Sequence, residues 1–199
     1  MATTAVSLSN DKVDIEFDYK PNLTITELIE RPLGFLRVKR GSMWDISEAQ
    51  IIEQCNNALS RGLVKTVHWS KKNKKVFYFE YADDELLLQN DIYLIDCYPM
   101  THKEDMLCQV WYTLKLGAYS VEKNKSQIGK KCEPLWRALD SNPDYVPIDK
   151  NRARQSRGSW SNEETEKSYY NKRLNIAVSV VWSRLGATVK CWIPDKPFD

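Results

Sequence analysis

The sequence has no apolar stretch long enough to cross a membrane. Its longest apolar run, residues 176–182, is interrupted by Ser179, whereas a spanning helix needs about 20 predominantly apolar residues. The N-terminal residues also lack the basic start and apolar centre of a secretory signal. We therefore expect an intracellular protein, cytoplasmic or nuclear, in which residues 1–10 form a disordered leader.

Cysteine pairs, phosphate-binding glycine loops and clustered histidines are also missing. The five cysteines lie far apart without a CxxC pair, so neither a disulfide framework nor a zinc site is predicted. The seven glycines form no GxGxxG sequence and no Walker-type loop, so no nucleotide cofactor is predicted. Histidine occurs only as His68 and His102, which limits acid–base catalysis. We assign no catalytic residue, cofactor or metal ligand, and expect a binding protein and not an enzyme.

The composition of the chain predicts a folded protein with a hydrophobic core. Apolar residues make up 42% of the chain and aromatic residues 11%, including seven tryptophans. A chain of 199 residues can bury about 70% of its unfolded surface without metals or cross-links. Residues 11–199 are therefore expected to form a single domain.

Charge is divided into blocks along the chain, although the formal net charge is only +2. Residues 31–75 carry ten basic and three acidic side chains, whereas residues 76–105 carry one basic and eight acidic side chains. Such blocks either pair with each other in the fold or leave separate basic and acidic faces for partners. The sequence leaves both outcomes open.

Strands are indicated by period-two alternation and by clusters of β-branched and aromatic residues. The predicted strands cover residues 13–20, 35–40, 63–70, 76–81, 92–98 and 106–116. The sequence "KKNKK" joins two of them and has the length of a hairpin connection. These patterns predict a largely antiparallel sheet of four to six strands.

Helices are predicted from capping residues. Ser47 and Gln50 form a capping box at the start of a helix near residues 46–61, and Gly62 follows where a left-handed C-terminal cap is preferred. A shorter helix is predicted over residues 132–140, with Pro134 near its first turn. The expected fold class is therefore α+β.

The C-terminal region has two interpretations. Ser161 and Glu164 offer a capping box for a helix that ends before Gly186, whereas the β-branched residues of 174–182 also suit a strand. We favour the helix. The preceding residues 141–161 contain prolines, several arginines and few apolar side chains, which predicts a long mobile basic loop.

Two basic segments are candidate nucleic-acid contacts, namely the hairpin tip "KKNKK" and the sequence "KNRARQSRGSW". Basic side chains release counterions from phosphates, and aromatic side chains stack on unpaired bases. Arginine-rich segments also become ordered on RNA. The predicted nucleic-acid contacts are Lys71, Lys72, Lys74, Lys75, Arg152, Arg154 and Arg157, with Trp69, Phe77, Trp160 and Trp192 as stacking or interface residues. Of the tryptophans, Trp160 and Trp192 are expected to be exposed.

The sequence thus favours a non-enzymatic protein that binds nucleic acid, with RNA preferred. The alternative is a self-associating structural or interaction protein, of the matrix or shell type or a viral accessory factor, whose copies meet through acidic and basic segments. In that case the lysines only keep a hairpin tip soluble. A metal-dependent nuclease is a second alternative, because carboxylates that could bind Mg²⁺ occur at Asp83, Asp84, Glu85, Asp91 and Asp96.

Overall fold

The structure is a computed structural model of the chain. It describes residues 13–71, 75–83, 86–101, 105–117, 125–158, 165–183 and 186–199. The strands are β1 (Asp14–Phe17), β2 (Leu36–Arg40), β3 (Val64–Trp69), β4 (Val76–Tyr81), β5 (Leu87–Gln89), β6 (Ile92–Thr101), β7 (Leu107–Leu116), β8 (Tyr145–Ile148), β9 (Thr165–Asn171), β10 (Ile176–Ser183) and β11 (Gly186–Trp192). The helices are α1 (Ile25–Glu30), α2 (Glu48–Ser60), α3 (Lys125–Asp140) and α4 (Lys150–Ser156). The predicted α+β class is confirmed.

Most of the strands form one antiparallel sheet. Its order is β3-β4-β6-β7-β11-β10-β9-β8, and β5 pairs with β6 beside this path. β1 and β2 form a separate antiparallel pair. The large sheet exceeds the predicted four to six strands, because the chain after α3 adds β8, β9, β10 and β11.

The main hydrophobic core lies on one face of this sheet. Alternate side chains of β7, including Val110, Tyr112 and Leu114, are buried there, as the period-two alternation of a strand requires. α2 packs on β3 and β4, and α3 packs on β10. Among the described residues, no helix has the length and apolar character of a membrane span.

Local sequence signals account for α2. The Ser47 hydroxyl accepts a hydrogen bond from the Gln50 N–H at 3.3 Å, and the Gln50 side chain accepts one from the Ser47 N–H at 3.1 Å. Ile51, Cys55 and Ala58 follow at helical spacing and are buried. The predicted capped helix is therefore confirmed.

The favoured C-terminal helix is wrong, because this region forms β9, β10 and β11. Residues 176–182 are all buried in β10, in the interior of the sheet. α3 covers one face, where Trp182 packs against Trp136 with ring centroids 4.9 Å apart, and α4 lies on the other side. A strand covered on both faces shows no apolar–polar alternation.

The long loop predicted over residues 141–161 is also wrong, because β8 and α4 lie within it. The Asp149 carboxylate caps α4 by accepting from the N–H groups of Asn151 and Arg152, at 3.0 Å each. α3 starts before the predicted residue 132, so Pro134 lies inside the helix and not in its first turn.

The second face of the sheet is divided into two halves. Over β8, β9, β10 and β11 it is covered by α4 and the C-terminal segment, with a small apolar cluster of Ala153, Tyr170, Ala177, Trp192 and Phe198. Over β3, β4, β6 and β7 its side chains are half-buried. We call this second half the open face; its side chains include His68, Tyr78, Glu80, Asp96, Tyr98 and Trp111.

Candidate nucleic-acid interface

A line of side chains crosses the open face at right angles to the strands and ends beyond it on β11, at the buried Lys190. His68 pairs with Tyr78, Tyr98 pairs with Trp111, and Trp111 pairs with Lys190 in the register of the sheet. The rings of Tyr78 and Tyr98 are stacked, with centroids 5.1 Å apart. The four steps between neighbouring strands, of about 4.8 Å each, make this line about 19 Å long. We call these five residues the aromatic row.

A β-bulge in β6 determines that Tyr98 belongs to the aromatic row. Ile92 and Leu94 face the core, but the pairing with β7 shifts between Leu94 and Asp96. Cys97 is therefore the next residue to face the core, and Tyr98 points to the open face. An extra residue in one strand reverses the alternation beyond it.

The rings of the aromatic row contact one another. His68 stacks on Tyr78 with centroids 4.0 Å apart and an interplanar angle of 13°, and Tyr78 stacks on Tyr98 at 22°. The Lys190 ammonium lies 4.4 Å from the centroid of Trp111. The Trp111 indole N–H donates to Gln109 Oε1 at 3.2 Å. The result is a partly exposed aromatic surface that carries imidazole, phenol and indole groups, with the Lys190 ammonium buried at one end.

Two carboxylates lie beside the aromatic row. Glu80 is directly opposite Asp96, and burial together with the charge of Glu80 raises the pKa of the Asp96 carboxyl. Lys65 Nζ lies 3.5 Å from Glu80 Oε2, and His68 Nε2 lies 3.5 Å from Glu80 Oε1. The Lys65 ammonium thus offsets part of this negative charge.

The predicted hairpin-tip lysines have different environments. Lys71 is exposed, whereas Lys75 Nζ lies 2.6 Å from Asp105 and 2.7 Å from Glu48, and these carboxylates raise its pKa. Lys75 therefore connects β4 to the start of α2. Lys72 and Lys74 lie outside the described residues.

Two of the predicted phosphate contacts, Arg154 and Arg157, are buried. Arg157 donates to Glu166 Oε2 at 2.8 Å and to Ser179 Oγ at 3.0 Å. Arg154 Nε lies 3.3 Å from the same carboxylate oxygen. Both arginines fix α4 to the sheet, so the prediction that they bind nucleic acid from a mobile loop is wrong. Arg152 remains exposed on α4.

The predicted stacking residues also differ in their exposure to solvent. Trp69 is 42% exposed at the end of the edge strand β3. Trp192 was expected to be exposed but is only 1% exposed, because it lies beneath α4, where its indole N–H donates to Ser156 Oγ at 3.1 Å. Trp160 and the side chain of Phe77 lie outside the described part of the chain.

Sequence reasoning missed the aromatic row, because its members come from five strands and meet only through the register of the sheet. A signal was present in "IYLIDCYPMT" and "LCQVWYTLKL". Tyr98 and Trp111 occupy positions that alternate with core residues, where a solvent-facing strand usually has polar side chains.

The predicted acidic residues give no metal site in the described residues, where no group of three or more His, Cys, Asp and Glu side chains is placed to bind an ion. Asp84 and Glu85 lie outside that part of the chain.

No protein-family model, curated protein or solved structure matches the chain at a significant level. Function is therefore inferred from the aromatic row and its surroundings.

Proposed function

We propose that the protein binds single-stranded nucleic acid on its open face, with RNA preferred. The aromatic row is the observation that supports this proposal. Unpaired bases stack on aromatic side chains with about 1–3 kcal/mol per base, and they need an accessible aromatic surface of this kind. The phenol and imidazole groups of the row are also suited to hydrogen bonds with the ribose 2′-hydroxyl, which distinguishes RNA from DNA.

A cationic group near one end of the row supports the same proposal. Lys71 is exposed three residues beyond His68, which forms that end, whereas Lys190 at the other end is only 6% exposed. Phosphates released from their counterions bind exposed cations. Glu80 and Asp96 lie beside the row and repel phosphates, which favours a strand whose bases, and not its backbone, face the sheet.

The proposal is tested by Tyr98→Ala and Trp111→Ala, with binding measured by fluorescence anisotropy of a labelled single-stranded RNA at low salt. Each substitution removes a stacking surface and should raise Kd by about 5- to 100-fold. Leu59→Ala is the matched control, because Leu59 is an exposed apolar residue on α2, away from the open face. It should leave Kd unchanged.

If the parent protein binds no single-stranded RNA or DNA at low salt, the proposal is wrong. Size-exclusion chromatography at low and high salt then tests the alternative of self-association. Salt-sensitive oligomers without absorbance from nucleic acid would favour a structural or interaction protein.

A further inference from the structure

A cleft of about 340 Å³ lies between α4 and the C-terminal segment, on the covered half of the second sheet face. α4 contributes Arg152, Gln155 and Ser156 to its walls, and the C-terminal segment contributes Asp195, Lys196 and Phe198. Sites for small molecules have volumes of about 300–1,000 Å³. The cleft therefore has room for a ligand of nucleotide size.

The walls of the cleft are fixed by buried contacts behind them. Arg157 and Glu166 attach α4 to the sheet through a 2.8 Å ion pair in which both side chains are fully buried. The Trp192 indole N–H fixes the Ser156 hydroxyl from below. Phe198 packs edge-on against Tyr170, with ring centroids 5.4 Å apart. The part of the wall formed by Ser156 and Phe198 is therefore preformed, which reduces the entropy lost on binding, whereas the Arg152 and Lys196 side chains are exposed.

The lining side chains have the chemistry of a phosphate site beside an aromatic ring. The Arg152 guanidinium lies 5.5 Å from the Phe198 ring centroid, and Lys196 adds a second cation. Among the described lining residues, Asp195 is the single acid. Guanidinium groups bind phosphates through two parallel hydrogen bonds and also stack on bases. The Gln155 amide and the Ser156 hydroxyl add hydrogen-bonding groups for a base edge or a ribose.

We propose that this cleft binds a nucleoside monophosphate, with the phosphate on Arg152 and Lys196 and the base beside the guanidinium and Phe198. This site is distinct from the open face, since it lies on α4 and the C-terminal segment, and it does not depend on the proposed binding of a nucleic-acid strand. It assigns a function to Arg152, the arginine of α4 that remains exposed.

Two tryptophans allow the two sites to be observed separately in the full chain. The Trp192 indole N–H bonds to Ser156 in the cleft wall, and the Trp111 indole N–H bonds to Gln109 on the open face. In ¹⁵N-labelled protein, titration with AMP or UMP should shift the Trp192 indole resonance and leave that of Trp111 in place. A Trp111→Phe variant assigns the Trp111 resonance.

Substitutions then test the residues themselves. Arg152→Ala and Lys196→Ala should each weaken AMP binding by about tenfold or more, because each removes a charge-assisted hydrogen bond. Arg152→Lys retains the charge but not the planar guanidinium, and should weaken AMP binding without changing the melting temperature. Lys150→Ala is the matched control, since it removes an exposed cation from the same helix outside the lining residues named above.

Three results would overturn the proposal: no shift of the Trp192 resonance at millimolar AMP, AMP binding that Arg152→Ala leaves unchanged, or inorganic phosphate that binds as tightly as AMP. Loss of RNA binding in Tyr98→Ala with AMP binding intact supports two independent sites. Failure of AMP binding would leave the proposal for the open face standing, since its test uses other residues and another probe.

Discussion

Asp96 lies on the open face directly across from Glu80, and burial together with this neighbour raises the pKa of its carboxyl above the ordinary value of 3.8. Lys65 and His68 on β3 lower the pKa of Asp96. Thr113 of β7 flanks Asp96 on the other side. Because the folded protein binds this proton more tightly than the unfolded chain, the free energy of unfolding falls as the pH rises from 3.8 through the raised pKa.

Asp96→Asn should therefore stabilise the protein at neutral pH by about 0.2–1 kcal/mol, the range for cross-strand charge pairs. The advantage should shrink as the pH is lowered toward 4, since Asp96 of the parent then becomes protonated. Urea denaturation at pH 7.5 and at pH 4 measures both effects. Glu53→Gln, an exposed carboxylate on α2, is the control and should change stability little at either pH. An Asp96→Asn variant less stable than the parent at pH 7.5 would contradict this account.

At the scale of single elements, α4 shows how a short segment acquires its structure from the rest of the fold. A helix of seven residues is not stable by itself in water. Arg154 of α4 and Arg157, which follows its last residue, share the carboxylate of Glu166 on β9, whose side chain is completely buried. Ser168 donates a further hydrogen bond to this carboxylate at 3.3 Å. These contacts fix α4 against the sheet.

Glu166→Gln should destabilise the protein by about 3–5 kcal/mol, because it leaves buried guanidinium charges without their carboxylate. Urea denaturation measures the loss. Glu133→Gln is the comparison, since it breaks an exposed ion pair with Arg137 on α3 and should cost less than about 0.5 kcal/mol. Similar effects for both substitutions would show that the buried arginines are not held by Glu166.

The elements that the sequence predicts well are those with local signals. The capping box of α2 involves Ser47 and Gln50, which are three residues apart, and the strands before and after "KKNKK" are rich in β-branched and aromatic residues. β10 was misassigned because it is buried on both faces by helices far away in the sequence. α4 was read as a loop because its arginines look solvated, and their partner Glu166 lies in another strand.

On the scale of the whole molecule, the sheet is covered unevenly. β10 and β11 lie in its interior, with α3 on one face and with α4 and the C-terminal segment on the other. β3 and β8 form the edges, and Val146 of β8 is 55% exposed. Local opening is easiest where few apolar contacts hold a strand.

Amide hydrogen exchange should therefore be slowest in β10 and β11 and faster in β3 and β8 by about tenfold or more, which corresponds to about 1.4 kcal/mol in opening free energy. Exchange followed by NMR or mass spectrometry on the full chain measures this order. Equal protection of edge and central strands would indicate that the edges are covered by another copy or partner.

The candidate site is a property of the whole molecule, which explains why the sequence predicted its chemistry better than its position. Aromatic and basic side chains were expected near the hairpin, and His68 lies in its first strand. Tyr98, Trp111 and Lys190 join it only through pairings between strands, of which the most distant in sequence joins Trp111 to Lys190, and no local pattern specifies such pairings.

The bulge between Leu94 and Asp96 makes β6 tolerant of a length change at that point. If Ile95 were deleted, Leu94 and Asp96 would become neighbours opposite Leu114 and Thr113, so the Cys97 thiol would stay in the core and the Tyr98 phenol on the open face. Deletion of a regularly paired residue such as Cys97 would instead turn Tyr98 toward the interior. Gaps in an alignment of relatives that keep the surface are therefore expected at residue 95 or in the loops on either side of β6.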